Sequence, residues 1–101
     1  MAPGLGGSVW NLYIMGLLYY ARPRGYKIGV IRFRNTDGIP VTSNKLNYSG
    51  SYEDLKVVLE YVNDKYLKGE SPQSKKRTRL YLYGCSSGAV NIGLYLANYS
   101  Q

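Results

Sequence analysis

The stretch that most constrains this chain is Leu80-Tyr81-Leu82-Tyr83-Gly84-Cys85-Ser86-Ser87-Gly88-Ala89-Val90-Asn91-Ile92-Gly93-Leu94. It reads as a short apolar strand, a Gly-x-Ser-x-Gly corner and an apolar helix, the order a nucleophile elbow requires. The corner asks for Gly84 and Gly88 on steric grounds. An abrupt strand-to-helix turn strains its central residue and brings neighbouring backbone too close for side chains two positions either side. Such a turn exposes the Ser86 hydroxyl at the C-terminal edge of a strand. It also aims the Ser87 N–H, at the start of the helix, toward any oxyanion formed there.

The rest of the chain sets the expected frame for that corner. Met1 to Ser8 hold three glycines and a proline and read as a loop, with Ser8 as N-cap of a helix over 9–22 that Pro23 and Gly25 end. Residues 26–33 carry Ile28, Val30 and Ile31 and read as a buried parallel strand. A long loop over 34–51 follows, rich in Asn, Gly and Ser. Ser51 is then the expected cap of a second helix, in which Glu53 and Asp54 suit the positive end. Leu55, Val58, Leu59, Val62 and Tyr66 form its apolar stripe. A polar loop over 68–78, a strand over 79–83 and a helix over 87–99 complete the chain. In the last helix Val90, Leu94 and Ala97 are expected to face a sheet, with Gly93 allowing close approach. Strands alternating with helices predict an α/β class: parallel strands with flanking helices in the order helix, strand, helix, strand, elbow, helix.

At 101 residues the chain is bounded to one domain, and 45% hydrophobic with 14% aromatic residues is a globular composition. The net charge is +7, with one basic cluster at Lys75-Lys76-Arg77 and Arg79. No nucleic-acid motif accompanies that cluster, so it reads as a solvated loop and no nucleic-acid partner is expected. The single Cys85 permits no intramolecular disulfide and no zinc cage, so neither metal nor cofactor is expected. The longest apolar stretch, near residues 12–21, is too short to span a bilayer. There is no secretory leader pattern, so localisation stays unassigned, and membrane association is expected only through segments outside this chain. The chain has no histidine. A serine hydroxyl is a poor nucleophile without a general base, and histidine is the usual one.

Three ordered motifs together resemble a known family. Gly84-Cys85-Ser86-Ser87-Gly88 in its strand–helix context looks like the α/β-hydrolase elbow. Pro3-Gly4-Leu5-Gly6-Gly7-Ser8 resembles the oxyanion loop of the branch that holds the abhydrolase-domain lipases and phospholipases and the medium-chain esterases. Arg34, then Gly38-Ile39-Pro40-Val41-Thr42, Leu46, Gly50 and Glu53-Asp54-Leu55 are similar to that branch's middle loop. Asn35-Thr36-Asp37 replaces the branch's glycine-rich turn. The resemblance covers residues 3–99 and implies the central part of such a domain, with strands expected before it and strand–helix units after it.

It also implies a carboxylic ester hydrolase acting on a lipid or medium-chain acyl ester. Ser86 would form the acyl-enzyme, and the Leu5 and Ser87 N–H groups would hold the oxyanion. The triad histidine and late acid of the family are missing, so this chain alone is expected to be inactive. Alternatives are a noncatalytic relic of the family, or a basic binding module built on Lys75 to Arg79. Cys85 is expected to pack beneath the elbow. Asp54 and Asp64 read as helix capping and solvation, and Asp37 as a loop residue in the wrong segment to be the triad acid.

Overall fold

The computed structural model describes residues 1–67 and 78–99. Three α-helices dominate: α1 (Leu12–Ala21), α2 (Tyr52–Val62) and α3 (Ser87–Tyr99). A short 3-10 turn, Arg22–Arg24, extends α1, and a π-helical segment, Asn63–Leu67, extends α2. The polar loop expected over 68–78 lies outside the described residues except for Thr78. So does the basic cluster except for Arg79.

Helix α1 starts three residues later than the expected Val9, because Ser8 is used elsewhere. Its N–H donates to Asn11 Oδ1 at 2.9 Å and its Oγ accepts from the Trp10 N–H at 3.1 Å, forming a turn ahead of the helix. Asn11 takes the cap position in extended geometry, with no side-chain cap bond. The far end stops where Pro23 and Gly25 require. Gly25 adopts φ 84°, and its N–H closes on the Arg22 carbonyl at 3.2 Å.

Helix α2 buries Leu55 and Leu59 from its apolar stripe, half-buries Val58 and Val62, and leaves Tyr66 exposed. Ser51 precedes it without capping it. The Ser51 hydroxyl donates to the Tyr48 carbonyl at 2.9 Å and accepts the Tyr48 N–H at 3.0 Å, a local turn that competes with the cap.

The expected α/β class with parallel strands is overturned. Among the described residues there is no sheet, only one isolated parallel bridge between Ala2 and Gly84, and the fold is mostly helical. The reason lies in Met1 and Ala2, which sit between the two segments read as strands. Met1 donates its amine to the Gly29 carbonyl at 2.7 Å and accepts the Ile31 N–H at 2.9 Å. Ala2 donates to the Tyr83 carbonyl at 2.7 Å and accepts the Cys85 N–H at 3.2 Å. Residues 26–33 and 79–83 therefore never pair with each other. The pairing cannot lengthen either: Pro3 has no N–H, and the Gly4 N–H goes to the Tyr13 hydroxyl at 3.0 Å.

With no sheet to cover, α3 does not bury Val90, Leu94 and Ala97. All three are exposed, and Ser87, Gly88 and Asn91 are buried instead. Its neighbour is α2 together with the loop leading into it. Asn91 Oδ1 accepts the Gly50 N–H at 2.8 Å, and the Tyr99 and Tyr52 ring centroids lie 6.1 Å apart. Nothing lies within 4 Å of where a Cβ on Gly93 would sit, so no close approach depends on that glycine. Among the described residues the buried hydrophobic ones are Ala2, Ile14, Phe33, Leu55 and Leu59, few for a chain with this much apolar content.

Candidate active site

The corner around Ser86 has strained geometry. Ser86 adopts φ 52°, in the left-handed region that costs a side-chain-bearing residue about 1–2 kcal/mol. Two hydrogen bonds hold it there: the Gly88 N–H donates to the Cys85 carbonyl at 2.9 Å, and the Val90 N–H to the Ser86 carbonyl at 3.1 Å. Both flanking glycines are sterically required. A Cβ on Gly84 would stand 2.7 Å from the Gly88 carbonyl carbon and 2.8 Å from the Ala89 nitrogen. A Cβ on Gly88 would overlap the Ala2 carbonyl oxygen and come within 2.6 Å of Pro3 O. The corner is thus clamped between its own helix and Ala2-Pro3.

The first loop lies against this corner. A Cβ on Gly4 would sit 3.5 Å from both Ser86 Cβ and the Cys85 carbonyl oxygen. The loop then folds back, with the Gly7 N–H donating to the Gly4 carbonyl at 2.8 Å and Gly6 at φ 68°. Leu5 projects into solvent from this fold. Among the described residues, neither the Leu5 N–H nor the Ser87 N–H has a hydrogen-bond partner. Ser87 opens α3, so its N–H stands at the positive end of a 13-residue helix. Ser86 is exposed, and its hydroxyl has no hydrogen-bond partner among the described residues.

Cys85 does not pack beneath the corner. It is half-buried, and its Sγ donates to the Tyr83 hydroxyl at 3.2 Å. The pair can also form with the phenol O–H donating to the sulfur, and that arrangement, then the charge interaction with Cys85, push the Tyr83 phenol above its ordinary value.

The carboxylates are committed elsewhere. Asp54 forms a bidentate pair with Arg34, an ion pair that its reading as helix capping missed. The hydrogen bond and charge of Asp54 hold the Arg34 guanidinium above its already high pKa. Asp37 accepts the Ser8 hydroxyl at 2.9 Å and pairs with Arg32 at 3.2 Å, tying the first loop to the turn after Arg34. In that turn Asn35 (φ 59°), Asp37 (φ 50°) and Gly38 (φ 79°) are left-handed. Asn and Asp tolerate this region better than other side chains, so the turn forms without the extra glycines.

A cleft of about 410 Å³, lined by residues including Arg34, Leu46, Tyr48 and Asp54, opens on the middle loop and does not include Ser86. No group of His, Cys, Asp or Glu among the described residues could hold a metal ion. No family model, curated protein or solved structure matches this chain.

Proposed function

We propose that the corner at Ser86 is the nucleophile-and-oxyanion half of a carboxylic ester hydrolase site for a lipid or medium-chain acyl ester. The observation that carries this reading is the left-handed Ser86, fixed by two glycines that have no room for a Cβ. Backbone strain concentrated at one exposed hydroxyl is characteristic of functional sites. In this reading Ser86 Oγ attacks the ester carbonyl and passes its proton to a general base. The carbonyl oxygen becomes an oxyanion held by the Leu5 and Ser87 N–H groups, the base returns the proton to the departing alcohol, and water deprotonated by the same base releases the acid from the acyl-serine. One such donor contributes about 3 kcal/mol to the transition state. The motifs that resemble the abhydrolase-domain lipases and esterases support the choice of an acyl ester.

The base is the missing part. The chain has no histidine, and Asp37 and Asp54 are held by arginines. The reading therefore requires a base from another segment or subunit. In subtilisin, loss of the serine or the histidine alone lowers turnover about a million-fold. A second reading, a corner that is no longer catalytic, follows from the same absence.

A fluorophosphonate probe separates the two. Applied to the protein purified from its own cells, it is expected to modify Ser86, located by peptide mass spectrometry, and to leave Ser86→Ala unmodified. Absence of label on Ser86, with the protein folded by circular dichroism, sinks the hydrolase reading and leaves the noncatalytic one.

A further inference from the structure

Helix α1 contains no charged residue, and its two sides differ in exposure. Ile14 is fully buried, and Tyr13, Leu17 and Leu18 are half-buried. The outer side consists of Leu12, Met15, Gly16, Tyr19 and Tyr20, whose helical spacing places them on one face. Leu12 is 88% exposed and Tyr19 84%. Trp10, two residues ahead of the helix, is 74% exposed. A surface helix ordinarily turns polar residues to water, whereas this one turns an aliphatic and aromatic face outward.

The charge nearest the C-terminal end of α1 is basic, while Asp37, tied to Ser8, lies toward its other end. The first acidic residue of the chain is Asp37, and Arg22, Arg24, Lys27, Arg32 and Arg34 all precede it. Arg32 and Arg34 are paired with Asp37 and Asp54. Arg22, Arg24 and Lys27, just past the end of α1, are exposed and have no ion-pair partner among the described residues. The Arg24 guanidinium stacks 3.8 Å from the Tyr20 ring centre and donates to the Tyr20 carbonyl at 2.5 Å, which keeps its charge at the rim of the apolar face.

Helix α1 has no charged face of its own, so the cations beyond its end supply the charge: exposed aliphatic side chains beside tryptophan and tyrosine, with those unpaired cations, suit an anionic lipid surface, where apolar groups enter the acyl boundary, amphipathic rings sit at headgroup depth and cations meet the lipid charge. We propose that the outer face of α1 docks on an anionic bilayer. Leu12 and Met15 enter the acyl boundary, Trp10, Tyr19 and Tyr20 lie at the interface, and Arg22, Arg24 and Lys27 meet the headgroups. No helix among the described residues is long and apolar enough to cross a membrane, and in the proposed docking α1 lies in the plane of the surface. The sequence alone placed membrane contact outside this chain. The exposed face of α1 supports a contact made by this chain itself, independently of any reactivity of Ser86.

Trp10 is the only tryptophan and reports on the contact directly. The full chain is mixed with phosphatidylcholine vesicles with and without phosphatidylserine, and Trp10 emission and vesicle flotation are followed. Phosphatidylserine vesicles are expected to shift the emission to the blue and carry the protein upward, progressively less as salt is raised. Replacing Arg22, Arg24 and Lys27 together by Gln is expected to lower partitioning about a hundredfold, from about 1 kcal/mol per basic residue at an anionic surface. Leu12→Glu with Tyr19→Glu, at highly exposed positions, is expected to abolish the shift while the helical circular dichroism is kept. The proposal is overturned by unmoved Trp10 emission, or by equal binding to both vesicle types. Trp10 emission that is already blue and shielded from acrylamide without vesicles also overturns it, because a protein surface such as a second copy would then cover the face.

Discussion

The guanidinium of Arg34 grips the carboxylate of Asp54 at two points, Nε to Oδ2 and Nη2 to Oδ1, both at 2.6 Å. The pair joins the start of the middle loop to the first turn of α2, so the loop is closed at its base. Lysine keeps the charge but cannot present two parallel donors. Arg34→Lys is therefore expected to lower the denaturant midpoint nearly as far as Arg34→Ala. Asp54→Asn should cost less in either variant than in the parent protein, because the two-point fork is already gone and only the favourable charge at the start of α2 is lost. A double-mutant cycle measures this, and full additivity of the single changes would show that the fork carries no coupling.

Glycines in one short stretch should respond in opposite ways to the same substitution. Gly88→Ala forces a Cβ into the Ala2-Pro3 backbone, which cannot yield as a flexible side chain would. The expected loss is about 4 kcal/mol or more, enough to unfold a marginal domain. Gly93→Ala, in α3 with open space around it, should gain about 1 kcal/mol from helix propensity. Chemical denaturation of the two variants checks both signs.

Ser86 itself carries the strain. At φ 52°, Ser86→Ala leaves the penalty in place, while Ser86→Gly relieves it. The glycine variant is expected to be more stable than the alanine variant by about 1 kcal/mol, a left-handed preference that outweighs glycine's greater chain entropy. Equal stability of the two would mean that the corner stores no strain.

Tyr83 offers a pH-dependent readout. Its hydrogen bond with Cys85, and then the charge on that thiol, raise its pKa above 10.0 in the folded chain. Between the unfolded and the raised value, the folded state holds a proton that the unfolded state has lost. This contribution to stability is thus complete below the unfolded value and declines as pH climbs past it. A carbon-13 NMR titration of labelled tyrosines should place the Tyr83 midpoint high, and Cys85→Ala should bring it down toward the ordinary value. An unmoved midpoint in Cys85→Ala would rule out the thiol as the cause.

What the sequence made legible was local. The stripe on α2 follows from residues one helical turn apart, and the extent of α3 follows from the corner that starts it. The steric demand for Gly84 and Gly88 belongs to a five-residue pattern, and the structure places backbone where their side chains would go. Contacts between distant segments left no periodic trace. Met1 and Ala2 sit in a Pro- and Gly-rich stretch that reads as a loop, yet they lie between and hydrogen-bond to the two segments read as parallel strands. Ser51 looked like a cap because its neighbours suit one, and its hydroxyl turns back to Tyr48. Asp54 looked like a helix-end charge because Arg34 is far away in sequence.

The bridge between Ala2 and Gly84 has a consequence for how the molecule assembles. It joins residues near opposite ends of the described chain, and contacts of such long range are the slowest to form. Helices α1 and α2 can begin from neighbouring residues, but the clamp on Gly88 needs Ala2 and Pro3 brought together with a corner most of the chain length away. Met1 has partners at Gly29 and Ile31 early in the chain, but the bonds of Ala2 to Tyr83 and Cys85 need the last third of it. The hydrogen bonds that hold the Ser86 twist are local to residues 85–90, whereas the clamp on Gly88 joins that corner to the other end of the described chain.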